Sequence, residues 1–155
     1  MDKIIVTVLF ISCLVNFAIS QVPPDRNTLL NGDEGIQTQV AEKYGYPSAK
    51  NVLDLATVLK LTEPQRNSLR GIYKETISRA KELGREIVKI EEELKEALQA
   101  GLVNEKSVSE DAQQIGKLRG RLRGVFIAAR IETRKALNAS QIDLCKKLSA
   151  PIEKK

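Results

Sequence analysis

Arg119, Arg123, Phe126, Ile127, Arg130 and Arg134 follow one another at mostly three- and four-residue steps. On a helix that spacing stacks side chains along one side. The result is a stripe that mixes fixed positive charge with apolar surface. Arg66, Arg70, Tyr73 and Lys74 form a similar patch earlier in the chain. A surface of this kind attracts an acidic unfolded polypeptide over long range and then holds its apolar groups weakly. The competing reading of each residue is a solvated charged face, with Phe126 in a dimer seam.

Bond chemistry has little to work with. The chain contains no His. That removes the usual general base, the usual triad partner and the commonest transition-metal ligand. The only Met is Met1. The run Glu91-Glu92-Glu93 reads as a solvated helix face rather than a metal site. No phosphate-binding loop and no nucleic-acid motif is present. Cys145 is the one cysteine left if the first 20 residues are removed. An odd cysteine in an exported chain indicates an intermolecular pair or a free thiol; the alternative is a small buried hydrophobe. Without an activating base it is no nucleophile. No catalytic residue, metal ligand or cofactor is assigned, and the chain reads as a non-enzyme.

The elements that position these residues follow from composition and punctuation. At 155 residues there is room for one domain. Aromatics are 4% and charged residues 29%, a mix that favours long amphipathic helices over sheets. The net charge of +5 points to acidic partners or membrane surfaces. Residues 1–20 read as a signal peptide, with Lys3, an apolar run from Ile4 to Leu14, and Ala18-Ile19-Ser20 as a small-x-small cleavage site. An uncleaved anchor is the alternative, though the run from Ile4 to Ile19 is short and interrupted. Residues 21–46 carry Pro23-Pro24, Asn31-Gly32, Gly35 and Gly45 and predict an extended, mobile arm. Within it, Ile36 to Lys43 offers a turn or two of helix.

A helical domain is expected over 47–150, with a charged tail at 151–155. A short apolar helix is predicted from Val52 to Lys60 with Asn51 as its N-cap. From Glu63 to Ala100 the positions Leu69, Tyr73, Thr76, Ala80, Leu83, Ile87, Ile90, Leu94 and Ala97 alternate steps of four and three, which predicts one long helix packing along its length. Gly101 is its natural C-cap. Ser107 and Glu110 read as a capping box opening a second long helix that runs to about Leu137. The short turn between the two makes them antiparallel neighbours. Gly116, Gly120 and Gly124 read as a place where a neighbouring helix approaches closely. The interleaved Lys117, Arg119, Arg121 and Arg123 rule out a membrane dimer motif. A last helix is expected from Ala139 to Ser149. Two thin helices cannot enclose a core alone, so a second copy of the chain is expected as a partner.

One short pattern occurs twice. Leu61-Thr62-Glu63-Pro64-Gln65 opens the first long helix, and Leu137-Asn138-Ala139-Ser140-Gln141 opens the last one. In each, the Thr or Asn side chain can accept from the Gln backbone N–H while the Gln side chain reaches back, which is a capping box. Two leucine-led copies flanking a helical hairpin resemble the Spy/CpxP family, also called the LTxxQ family. Tyr46 to Leu55, running into Leu61-Thr62, also looks like the approach seen in its members, and the resemblance covers roughly Tyr46 to Ser149. Here Glu63 intervenes before Pro64, and Asn138 stands in place of Thr. The resemblance implies an all-α, cradle-shaped, dimeric protein of the bacterial periplasm.

Members of that family include ATP-independent chaperones, inhibitors of envelope-stress sensor kinases, and metal-responsive proteins. The basic and apolar stripe favours the first: holding unfolded or misfolded envelope proteins without nucleotide. Docking on the periplasmic domain of a sensor kinase is the second reading and a metal-responsive role the third. Neither nucleic acid nor a stable membrane span after cleavage is expected.

Overall fold

The computed structural model describes residues 23–149. The expected signal peptide and the tail at 151–155 lie outside the described residues. Among the described residues every regular element is a helix: α1 (Arg26–Asn31), α2 (Ile36–Lys43), α3 (Ala49–Asp54), α4 (Glu63–Ala100), α5 (Glu105–Lys135) and α6 (Ala139–Ser149). No helix among them is long and apolar enough to cross a membrane.

α4 spans 38 residues, about 57 Å at 1.5 Å per residue. Its start is fixed by Thr62, whose hydroxyl accepts from the Gln65 backbone N–H, while Gln65 Oε1 accepts from the Thr62 N–H at 3.0 Å. Gly101 ends it in the left-handed region at φ 68°, where a side chain would be strained. α4 and α5 pack antiparallel as a hairpin. Leu69, Ala80, Leu83, Ile87 and Ile90 of the predicted seam are buried, and Leu118 and Val125 of α5 pack with Leu83, Ile87 and Ile90. Tyr73 departs from the seam and is partly exposed.

Two helix starts differ from expectation. α5 begins at Glu105, capped by Asn104 rather than Ser107. Ser107 is the third helical residue: its hydroxyl accepts from the Asn104 N–H, and the Asn104 side chain accepts from the Ser107 N–H at 3.0 Å. Asn caps as well as Ser, and starting there adds nearly one turn. α3 begins after Ser48, whose side chain accepts from the Asn51 N–H. Asn51 is therefore inside the helix, and its amide donates to Glu42. Residues 55–60 continue as turns, ending at Lys60 with φ 49°.

The largest correction concerns residues 21–46. From Pro23 onward the segment is two short helices laid on the hairpin, not an extended arm. Its glycines act as punctuation: Gly32 closes α1 at φ 68° and Gly35 precedes α2 in an extended conformation. Leu29 is buried against α4. The close helix approach in this fold is at Gly84, where any Cβ would collide with the Leu29 backbone carbonyl. Gly116, Gly120 and Gly124 do the opposite of what their spacing suggests. A Cβ at each would meet nothing within 4 Å, so this row looks outward from the hairpin.

Two apolar clusters result. One joins Leu29 to the middle of the hairpin through Leu83, Ile87, Val88, Ile90, Leu118 and Val125. The other closes the base, where Ala49, Val52, Ala56, Leu59, Leu61, Leu69, Leu137 and Cys145 meet. Cys145 is a free, buried thiol, and burial pushes its pKa up. It serves as a small core residue rather than as a link to another chain.

Candidate interaction surface

The predicted stripe on α5 is divided by its neighbours. Arg119 makes a bidentate pair with Asp25, at 2.7 and 3.1 Å, and lies 3.6 Å from Glu91. Its guanidinium, by hydrogen bond first, holds the Asp25 carboxyl below the usual carboxylate range. Arg130 is only 3% exposed. Its Nε and Nη2 donate to the two carboxylate oxygens of Glu34, and Nη1 donates to the Tyr46 carbonyl at 2.7 Å. Glu42 stands 3.4 Å from the same nitrogen. Arg134 donates to the Gly45 carbonyl and stacks 5.0 Å from the centre of the Tyr46 ring. Phe126 is buried.

As binding contacts, Arg119, Phe126 and Arg130 are therefore corrected: the two arginines hold the N-terminal segment, and Phe126 is enclosed within the fold. A buried guanidinium must be fully hydrogen-bonded to be tolerated, and Arg130 meets that condition only with α2 and the turn after it in place. Sequence reading missed the partners, Asp25, Glu34 and Glu42. Their signal was an acidic segment 88–96 residues from a basic stripe, and nothing local specifies that pairing.

Arg123 and Ile127 remain on the accessible part of the stripe. Arg123 is exposed and Ile127 half-buried. The patch on α4 is looser. Arg70 and Lys74 are exposed, while Arg66 bonds the Leu61 carbonyl and pairs with Glu63. Tyr73 turns away from them into a cleft of about 330 Å³ beside Asp33, Glu42 and Lys50. The arginines and lysine share one helix edge, and the structure does not join them to the α5 stripe.

Exposed apolar side chains gather in two places, with Val58, Tyr73 and Leu148 standing apart from both. At the hairpin tip Leu98 and Leu102 stand in solvent, Leu102 at 79%. Along α2 and the second half of α5 they are Val40, Tyr44, Tyr46 and Ile131. The Glu91-Glu92-Glu93 run disperses into separate ion pairs, with Arg119, Arg26 and Lys89 respectively. Among the described residues no three His, Cys, Asp or Glu side chains converge as a metal ion would require.

The motif residues Leu61, Thr62, Gln65, Leu137, Asn138 and Gln141 lie together at the base. Leu61 and Leu137 are in the same apolar cluster, and both capping boxes are formed. They are the joint that sets the α6 base against the hairpin.

Against known proteins, the model of a family described as heavy-metal resistance matches residues 52–143. That is more than half of the chain, and it runs from within α3 into α6. The family is all-helical and related to Spy/CpxP-like periplasmic proteins. No curated protein matches the chain, and no solved structure does.

Proposed function

The chain belongs to the heavy-metal resistance family, and from that premise we propose that it is an exported, periplasmic, ATP-independent protein that holds unfolded envelope proteins. The observation that carries this reading is the outer surface of α2 and α5. There Val40, Tyr44, Tyr46 and Ile131 stay exposed beside Lys43 and Arg123, which have no carboxylate partner among the described residues. Large apolar groups left in water mark interaction surfaces. Scattered at low density among charges, they suit weak holding of many sequences better than tight binding of one. The protein acts here as a binding surface and not as an enzyme.

A homodimer belongs to the same proposal. The hairpin seam thins toward the tip, where Leu94 and Ala97 are half-buried and Leu98, Leu102 and Val108 are exposed. A second copy would cover them. The family description suggests heavy metals, but the residues present do not fit a metal centre. His is absent, the one thiol among the described residues is enclosed in the apolar base, and the acidic run is spent in ion pairs.

The test is retention of a reduced, carboxymethylated protein that cannot refold. Sedimentation of the mixture without nucleotide is expected to show a complex with this unfolded chain and none with the same protein in its native form. A complex with neither overturns the proposal.

A further inference from the structure

Between α2 and α5 lies a groove of about 180 Å³ lined by Ala41, Tyr46, Ile127, Arg130 and Ile131. It is apolar to a visitor because the Arg130 head group is turned inward onto Glu34 and Glu42. Ile131, at 40% exposure, and Tyr46 form its open edges, and Val40 and Tyr44 extend the apolar surface along the end of α2. Toward the hairpin tip the same side of α5 continues as Gly120 and Gly124, against which nothing packs. A bound backbone can therefore lie directly on the helix.

The rim is positive. Arg123 precedes Ile127 by one turn, and Lys43 follows Val40 by three residues. Both are exposed, and neither has an ion-pair partner among the described residues. Arg134 sits over the Tyr46 ring. Of the nearby carboxylates, Glu132 pairs with Lys135 at 2.8 Å and Glu34 and Glu42 with Arg130, while Asp33 lines a neighbouring cavity together with Arg123.

We infer that this groove docks a stretch of another polypeptide in which apolar residues alternate with acidic ones. Charge complementarity selects the occupant. A second copy of this chain would bring the same cations to the contact, and like charges facing each other oppose docking. A basic segment is repelled for the same reason. A lipid surface would meet the cations, but a concavity of this size matches one or two inserted side chains better than a flat interface. The inference rests on the holding proposal and names the chemistry of the segment held.

The experiment uses a fluorescein-labelled peptide of about 15 residues, alternating Leu and Phe with Asp and Glu, and follows anisotropy as protein is added. One control peptide replaces the acids with Lys; another replaces the apolar residues with Ser. The acidic apolar peptide alone is expected to bind, and more weakly as salt screens the rim. Lys43→Glu with Arg123→Glu, and separately Ile127→Ser with Ile131→Ser, each weaken it by about tenfold or more, the scale of about 1.4 kcal/mol. All four are surface or edge positions, and circular dichroism checks that each variant remains helical.

Equal binding of the Lys peptide overturns the inference. So does unchanged binding by the Ile127→Ser, Ile131→Ser variant, or displacement of the peptide by anionic phosphatidylglycerol vesicles. If the carboxymethylated protein is still held by that Ile variant, the groove fails and the holding proposal stands. If the peptide binds normally but no unfolded protein is held, the groove stands and the holding proposal fails.

Discussion

The side-chain amides of Gln65 and Gln141 exchange hydrogen bonds, Gln65 Nε2 donating to Gln141 Oε1 at 2.9 Å and Gln141 Nε2 donating to Gln65 Oε1 at 3.2 Å. Each oxygen also accepts from its own cap, the N–H of Thr62 or of Asn138, both at 3.0 Å. Each nitrogen also donates across the joint, Gln65 to the Ala136 carbonyl and Gln141 to the Leu59 carbonyl. The two motif copies are thus halves of one device with every amide atom used. Replacing either Gln by Ala removes a cap and strands the partner amide. A cost of about 2 kcal/mol for each single variant is expected. The double variant should cost less than the sum by about 1 kcal/mol, because the shared bonds are lost only once. Urea denaturation of the four proteins measures this; strict additivity would contradict the exchange.

Arg130 ties the N-terminal helices to α5 from inside. Arg130→Met leaves Glu34 and Glu42 without their cation and frees the Tyr46 carbonyl. Removing one member of a buried ion pair costs about 3 kcal/mol or more. The loss is expected to be local, with faster hydrogen exchange over residues 36–46 and unchanged exchange in the α4 interior. Arg123→Met, on the exposed side, should change stability by less than about 0.5 kcal/mol.

The glycines make a paired prediction. At Gly84 an added methyl meets the Leu29 backbone, which cannot move aside without undocking α1. Gly84→Ala is therefore expected to destabilise, by about 1–3 kcal/mol. Gly120 faces open space, so Gly120→Ala gains the helix preference of Ala, about 1 kcal/mol. Thermal unfolding of both variants gives the signs. Destabilisation by Gly120→Ala would mean that another surface covers the row.

Acid should loosen α1 before it unfolds the hairpin. The Asp25 pKa is lowered, first through its hydrogen bond to Arg119. A lowered folded-state pKa contributes stability that is present above the ordinary carboxylate value of about 4 and lost as pH falls below it. Amide exchange over residues 26–31 should rise in that range. In Asp25→Asn this pH dependence should be absent.

The helical hairpin was legible because its signals are local. The four-three spacing from Leu69 to Ala97, the cap at Thr62 and the stop at Gly101 all act within one turn of the residues that carry them. The α5 start was misplaced by three residues because Asn104 and Ser107 are both good caps, and only the side-chain exchange between them decides. Of the N-terminal segment only the helix from Ile36 to Lys43 was legible. The segment's prolines and glycines read as flexibility, whereas its order comes from Asp25, Glu34 and Glu42 meeting arginines 88–96 positions away. The surface reading failed at the same residues. An arginine three or four positions from its neighbours looks alike in sequence whether it faces a carboxylate or water, so Arg130 and Arg123 could not be told apart.

The central claim is that this surface keeps unfolded protein from associating. The most direct measurement is light scattering from a chemically unfolded test protein diluted into buffer with the purified protein and no nucleotide. Scattering is expected to be suppressed near one protein chain per unfolded chain and restored in the Lys43→Glu, Arg123→Glu, Ile127→Ser, Ile131→Ser variant. Unchanged scattering, with the added protein shown to be helical, would contradict the claim.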